Sequence, residues 1–292
     1  MNHAEKRDIE YSMLMEELDT TAGSSSETPT ATACATFSAH DNQTQMTRSF
    51  CRAPLKIARA FPQPDGGVEV CVMDCSPGML AGDCYVFDWK LERNARVSLH
   101  NQSFTKVHPS QNAPCRQMQR LVIESGAHCE LFFQPTTLFR DASLISQSEA
   151  RLEGSATFLF SDIVCAGRQA RGESFDFALW QSSWRVFRRE KLIWCNQSRV
   201  EPQHSSPARI GAWNNFAVWG QFLVFDESLE TRAPQLVETL REVTIEYSNR
   251  RLKIGVSALE NGGVCASVLG HRAHDVQVVI EKMRLTTRAF LQ

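Results

Sequence analysis

From about Ala33 onward, short apolar runs alternate with polar turns along nearly the whole chain. Residues 54–58, 68–73, 85–89, 96–99 and 121–123 place apolar side chains in the short or alternating runs of β-strands. Between them, residues 62–67 and 76–83 are rich in Pro, Gly and Asp and read as turns. Glu92-Arg93-Asn94-Ala95 and Glu124-Ser125-Gly126-Ala127 form matching turns, each just before a strand. Residues 184–187 and 192–195 read as a hairpin across Arg188-Arg189-Glu190-Lys191, and residues 263–269 as a late strand. A helical period appears only near the C-terminus. Leu236, Leu240 and Val243 fall on one helix face, and after His271 so do Val276, Val279, Ile280 and Met283. The pattern predicts a mainly β chain with two or three helices, mostly C-terminal. Frequent strands without strand–helix alternation leave a sandwich, a barrel or a solenoid open. With no fixed-period repeat visible, a regular solenoid is not expected.

The first thirty residues differ in character. A short charged helix is expected around Ile9, Met13 and Leu14, followed by a flexible linker over residues 23–30. The domain division is therefore an N-terminal extension over 1–30 and a single domain over 31–292. With 292 residues, 42% hydrophobic and 22% charged, the chain has the composition of a globular protein. A net charge of −2 gives no broad electrostatic footprint for nucleic acid. Arg185, Arg188, Arg189 and Lys191 make a local basic knot, but Glu190 supplies a counter-charge, as in a solvated hairpin turn. The N-terminus has no secretory apolar core, and no apolar run reaches the length of a membrane span. A cytoplasmic location is expected, with the ten cysteines reduced and mostly serving as small buried groups.

Candidate chemistry centres on residues 134–175. There Phe158-Leu159-Phe160 leads to Asp162 and then to Ile163-Val164-Cys165. A carboxylate between two apolar runs is costly if dry and unpaired, so Asp162 needs a cation, a donor or water. Arg168 and Arg171 are close enough in sequence to supply a core salt bridge, and a wet channel would serve as well. Phosphate-binding Gly-rich loops, a nucleophile elbow and a His-Glu-x-x-His motif are all absent from the sequence. His271 and His274 read as a solvated pair, and Cys71, Cys75 and Cys84 as core thiols rather than soft-metal ligands. Asp83 reads as a turn-capping acid and Glu173 as an ion-pair partner in an arginine-rich loop. No nucleophile–base–orienter set emerges from the sequence.

Several short stretches, taken together, carry a resemblance. They are Pro54-Leu55-Lys56; Ser76-Pro77-Gly78 with Ala81-Gly82-Asp83; Phe104-Thr105-Lys106-Val107; Gln134-Pro135 with Leu138-Phe139; Asp162 with Gly167-Arg168 and Gly172-Glu173; and Val268-Leu269-Gly270. In order and spacing this set resembles the urease accessory protein family UreD, called UreH in some organisms. The resemblance implies an irregular, β-helix-like all-β scaffold with two helices and no enzymatic activity. It implies that the scaffold binds apo-urease and a helical partner, UreF, and through UreF the GTPase UreG. It also implies a water-filled tunnel for nickel(2+) in transit, with no tightly bound cofactor. On this likeness Asp162 and Asp83 match acids of the family, while Cys84 and Cys195 stand where the family carries acids. Thr105 joins them as a tunnel neighbour, and Lys106, Arg168, Arg171 and Glu173 are carried over as binding positions. Such a scaffold is expected to show a large apolar docking face. The alternative is a β-solenoid carbohydrate-binding or carbohydrate-active protein that stacks sugars on Trp180, Trp184, Trp194, Trp213 and Trp219.

Overall fold

The computed structural model describes residues 28–110, 112–204, 207, 212–248 and 251–292. The helix expected around Ile9, Met13 and Leu14 lies outside them, as does most of the expected linker. The strands run in order: β1 Ala31–His40, β2 Gln43–Arg52, β3 Leu55–Ile57, β4 Phe61–Pro62, β5 Val68–Asp74, β6 Cys84–Leu91, β7 Arg96–Asn101, β8 Thr105–Val107 and β9 Cys115–Ile123. They continue as β10 His128–Phe132, β11 Thr136–Leu138, β12 Ser143–Leu152, β13 Thr157–Cys165, β14 Leu179–Arg188, β15 Lys191–Val200, β16 Val218–Phe225, β17 Leu252–Leu259 and β18 Gly263–Gly270. Among the described residues, two α-helices, α1 Leu229–Thr244 and α2 Ala273–Leu291, accompany the strands. The arrangement is mainly β and solenoid-like, with both α-helices C-terminal.

Two sheets face each other. One has seven strands in the order β15-β14-β12-β9-β6-β1-β2, and the other has eleven, with the path β17-β18-β16-β13-β10-β7-β5-β3. From β5 to β14 the chain passes back and forth between the sheets, and each circuit adds one main strand to each, with the short β8 and β11 as extra strands of the larger sheet. The added strands pair in parallel: β5–β7, β7–β10 and β10–β13 on one side, β6–β9, β9–β12 and β12–β14 on the other. Antiparallel β16, β17 and β18 then extend the larger sheet.

This architecture revises one expectation. A repeat is present: coils begin at Val68, Arg96, His128 and Thr157, roughly thirty residues apart, with a spacing that drifts. The two matching turns recognised in the sequence have a third counterpart at residues 153–156. In each, an Ala N–H donates to the carbonyl of the Glu three residues earlier, at 3.0 Å for Ala95, Ala127 and Ala156 alike. Successive turns are tied together by His128 N–H to Ala95 O (2.8 Å) and Thr157 N–H to Ala127 O (2.9 Å). All three alanines are fully buried, because only a methyl fits where one turn stacks on the next.

The eleven-stranded sheet is covered on both faces. On β13, Phe158, Phe160 and Val164 point into the core between the sheets, while Leu159 and Ile163 point into a second core beneath α1 and α2. That double burial explains why β13 reads as a nearly continuous apolar run. Helix α2 approaches this sheet closely over Gly220 and Gly270, where an added Cβ would lie 2.7 Å and 2.6 Å from the methyls of Val276. Trp180, Trp184 and Trp213 are 4%, 5% and 8% exposed, and Trp194 and Trp219 pack against the same inter-sheet core. These five rings are used in packing rather than displayed as an open stacking surface. No helix among the described residues is long and apolar enough to cross a membrane.

Candidate functional site

Residue alternation on β13 places Asp162 on the inter-sheet side, between Phe160 and Val164. It lines a partly open chamber of about 50 Å³ between the two sheets. The remaining wall is uncharged: Gln117 and Gln119 from β9, Ser146 and Ser148 from β12, Thr105 from β8 and Thr136 from β11 give it a polar lining, with aliphatic and aromatic groups around them. A cavity holds a water once it offers roughly 10–15 Å³, so this one has room for several. Gln134, also in the wall, accepts a 2.7 Å hydrogen bond from Gln277, which ties α2 to the chamber.

Asp162 is not the core salt bridge that the neighbouring arginines suggested. Arg168 pairs with Glu173 through two hydrogen bonds, Nε to Oε2 at 2.7 Å and Nη2 to Oε1. Its guanidinium also sits 4.0 Å from the ring centroid of Phe139. Arg171 lies exposed in a short 3-10 turn, Gln169–Arg171. No ion pair among the described residues reaches Asp162. Burial pushes its carboxyl up to about 6, partly offset by a hydrogen bond from the Trp184 side chain. Its register partner on β16 is Gln221, which accepts a hydrogen bond from Asn196 Nδ2 at 3.2 Å. Asp162 is therefore a carboxylate that meets the Trp184 side chain and no ion-pair partner among the described residues, on a cavity with room for water.

The other sequence candidates fall in different places. Thr105 lines the chamber, but Lys106, one residue on, points outward and is exposed. Asp83 accepts the Leu80 N–H at 2.7 Å and closes its own turn, outside the chamber wall. Cys84 is buried on the opposite face of β6 from the inward Tyr85. Cys195 is exposed, between the inward-facing Trp194 and Asn196. Arg168 and Glu173 clamp the loop after β13, where Gly167 adopts φ 148° and a Cβ would meet the Glu173 carbonyl oxygen at 2.6 Å. The structure thus gathers Asp162 and Thr105 around one cavity and leaves Asp83, Cys84, Lys106, Cys195, Arg168, Arg171 and Glu173 outside its wall. His271 packs on the Phe216 ring at 4.6 Å. Among the described residues, no group of three or more His, Cys, Asp or Glu side chains is placed to hold a metal ion.

Two features escaped the sequence reading. Glu130, 1% exposed, accepts hydrogen bonds from Arg284 Nη1 at 2.9 Å, from Arg288 Nη2 at 2.7 Å and from Arg288 Nε, with His128 Nε2 at 3.2 Å. This clamp fastens α2 to β10, and its arginines stand 154 and 158 residues away, beyond any local pattern. The second is the apolar surface. Phe61, Leu80, Leu192, Ile245, Val278 and Leu285 are exposed, but only Val278 and Leu285 share a helix.

A solenoid-like β body flanked by helices, with one acid, lacking an ion-pair partner among the described residues, in an otherwise uncharged cavity, defines a β-solenoid-like class of protein. A family model described as "UreD urease accessory protein" matches residues 30–292, so the chain belongs to the UreD family, an accessory and maturation family rather than one of enzymes. Among curated relatives, a "Urease accessory protein UreD" of Acetivibrio thermocellus is 26% identical, covering 84% of this chain and 92% of the relative. A "Urease accessory protein UreH" of Helicobacter hepaticus is 25% identical, covering 77% and 84%. A "Urease accessory protein UreD" of Synechocystis is 27% identical, covering 83% and 88%.

Proposed function

We propose that this chain acts in the cytoplasm as a scaffold of urease maturation, binding apo-urease and UreF, and through UreF the GTPase UreG, and passing nickel(2+) through its β body. Membership of the accessory family supports the setting, and the absence of any disulfide among the described cysteines suits a reducing compartment. The observation that carries the transport step is Asp162, the one charged group in the chamber wall and without a cationic partner. A half-buried carboxylate of that kind attracts a divalent cation. Its neighbours in the wall are hard oxygen and amide groups, which suit a divalent ion that must leave again; a full set of charged ligands would retain it.

The test is Asp162→Ala in the full chain, co-expressed with urease and the accessory partners. The complex is expected to co-purify unchanged, while urease activation at limiting nickel falls about tenfold or more, in line with the loss of an ion-orienting group. Wild-type activation at limiting nickel would overturn the cargo path.

A further inference from the structure

The chamber contains a second polar group whose hydrogen-bonding capacity is unmet. Gln119 faces inward from β9 and is only 5% exposed. Its Nε2 has no hydrogen-bond partner among the described residues. A buried amide donor left unanswered is destabilising, and an apolar side chain of similar volume would fill the position without that cost. In register across the seven-stranded sheet, Gln119 stands opposite Ser148, and Ser148 opposite Trp184. Trp184 in turn donates to Asp162. The row therefore spans about two strand spacings, ~10 Å, from an unanswered donor to the indole that holds an unpaired acceptor. The chamber occupies this gap, and a water chain fits it: a water accepts from the Gln119 amide and passes its own hydrogens toward the carboxylate.

We propose that Gln119 is a positioning residue of the cargo path, its carboxamide anchoring the water that faces Asp162 and turning its oxygen toward a hard divalent cation when one enters. The inference rests on the nickel-path reading of the same chamber. The terminal torsion of a Gln side chain is broad and roughly two-fold, so reversing the amide needs no repacking of the core. A neutral amide can serve the water-filled and the ion-filled chamber alike. A second carboxylate at the same place would turn a passage into a trap.

The experiment uses Gln119→Leu and Gln119→Glu in the full chain, co-expressed with urease and its accessory partners, beside Asp162→Ala. Gln119→Leu is expected to keep the wild-type denaturation midpoint, since the amide Nε2 bonds no protein group among the described residues and only water is lost, yet to lower urease activation at limiting nickel about tenfold. Gln119→Glu is expected to retain nickel on the purified complex through a desalting column that strips the wild type. Normal activation in Gln119→Leu beside a defective Asp162→Ala overturns the role of Gln119 and leaves the path standing, whereas normal activation in both overturns the path itself. A Gln119→Leu chain with a lowered midpoint would show a structural role instead, and absence of extra nickel retention in Gln119→Glu would also count against the inference.

Discussion

Two carboxylates set among apolar strands, the half-buried Asp162 and the fully buried Glu130, are managed in opposite ways, and their responses to pH should differ in sign. Burial pushes the Asp162 carboxyl from 3.8 to about 6, so the folded state holds its proton more tightly than the unfolded chain. Its contribution to stability is greatest below 3.8 and disappears as pH rises through about 6. Asp162→Asn is therefore expected to raise the unfolding free energy near neutral pH by about 1–3 kcal/mol, and to flatten the dependence across that window, as read by denaturant titration. At Glu130, burial alone would push the carboxyl up, but hydrogen bonds from His128 and Arg288 outweigh it and bring the group from 4.5 down to about 2. That stability is present above 4.5 and lost as pH falls toward 2. Glu130→Gln leaves Arg284 and Arg288 facing a neutral group and is expected to cost about 3 kcal/mol near neutral pH; an unchanged denaturation midpoint would refute the clamp. Asp162 could be picked out in the sequence because it interrupts a local apolar run. Glu130, between Cys129 and Leu131-Phe132-Phe133, has a comparable local setting, but the arginines that answer it arrive only when α2 folds back.

The helices and the hairpin were legible because their signals are local. Leu236 and Leu240 are buried on α1, and Val276, Val279, Ile280 and Met283 on α2, as their helical spacing required. The basic turn does join β14 to β15. The coil repeat was harder to see. Its turn motif recurs at residues 92–95, 124–127 and 153–156, but insertions such as β8 and β11 at the far corners shift the spacing between coils. How closely α2 seats on its sheet was not legible either, since Gly220 and Gly270 look like ordinary strand glycines until Val276 stands over them. Gly220→Ala and Gly270→Ala are each expected to cost about 1–3 kcal/mol by overpacking. Amide exchange should localise the damage to α2 and leave the solenoid turns at Ala95, Ala127 and Ala156 protected. Uniform loss of protection would contradict that picture.

At the scale of the molecule, two cores share one sheet, because β13 and β16 present one face to each. All six tryptophans belong to the inter-sheet core, whereas both helices cover the other, so fluorescence and helical circular dichroism report different cores. Sharing the sheet should make the described body one cooperative unit, with the two signals giving coincident denaturation curves. Leu121→Ala and Val279→Ala, one in each core, are expected to move both curves together by about 2–4 kcal/mol. Separate transitions would mean that the helical layer unfolds independently. By itself, the sequence determined the β-rich character, the C-terminal helices, the awkward acid at position 162 and a pattern resembling the UreD family, because strand and helix periods and short ordered motifs are written in neighbouring residues. Only the tertiary structure decided which acid faces a cavity and which caps a turn, which arginine answers which carboxylate, and that Gln119 meets the same chamber as Asp162. Those outcomes depend on register between strands far apart in the chain, and a shift of one residue would turn each of these side chains to the opposite face.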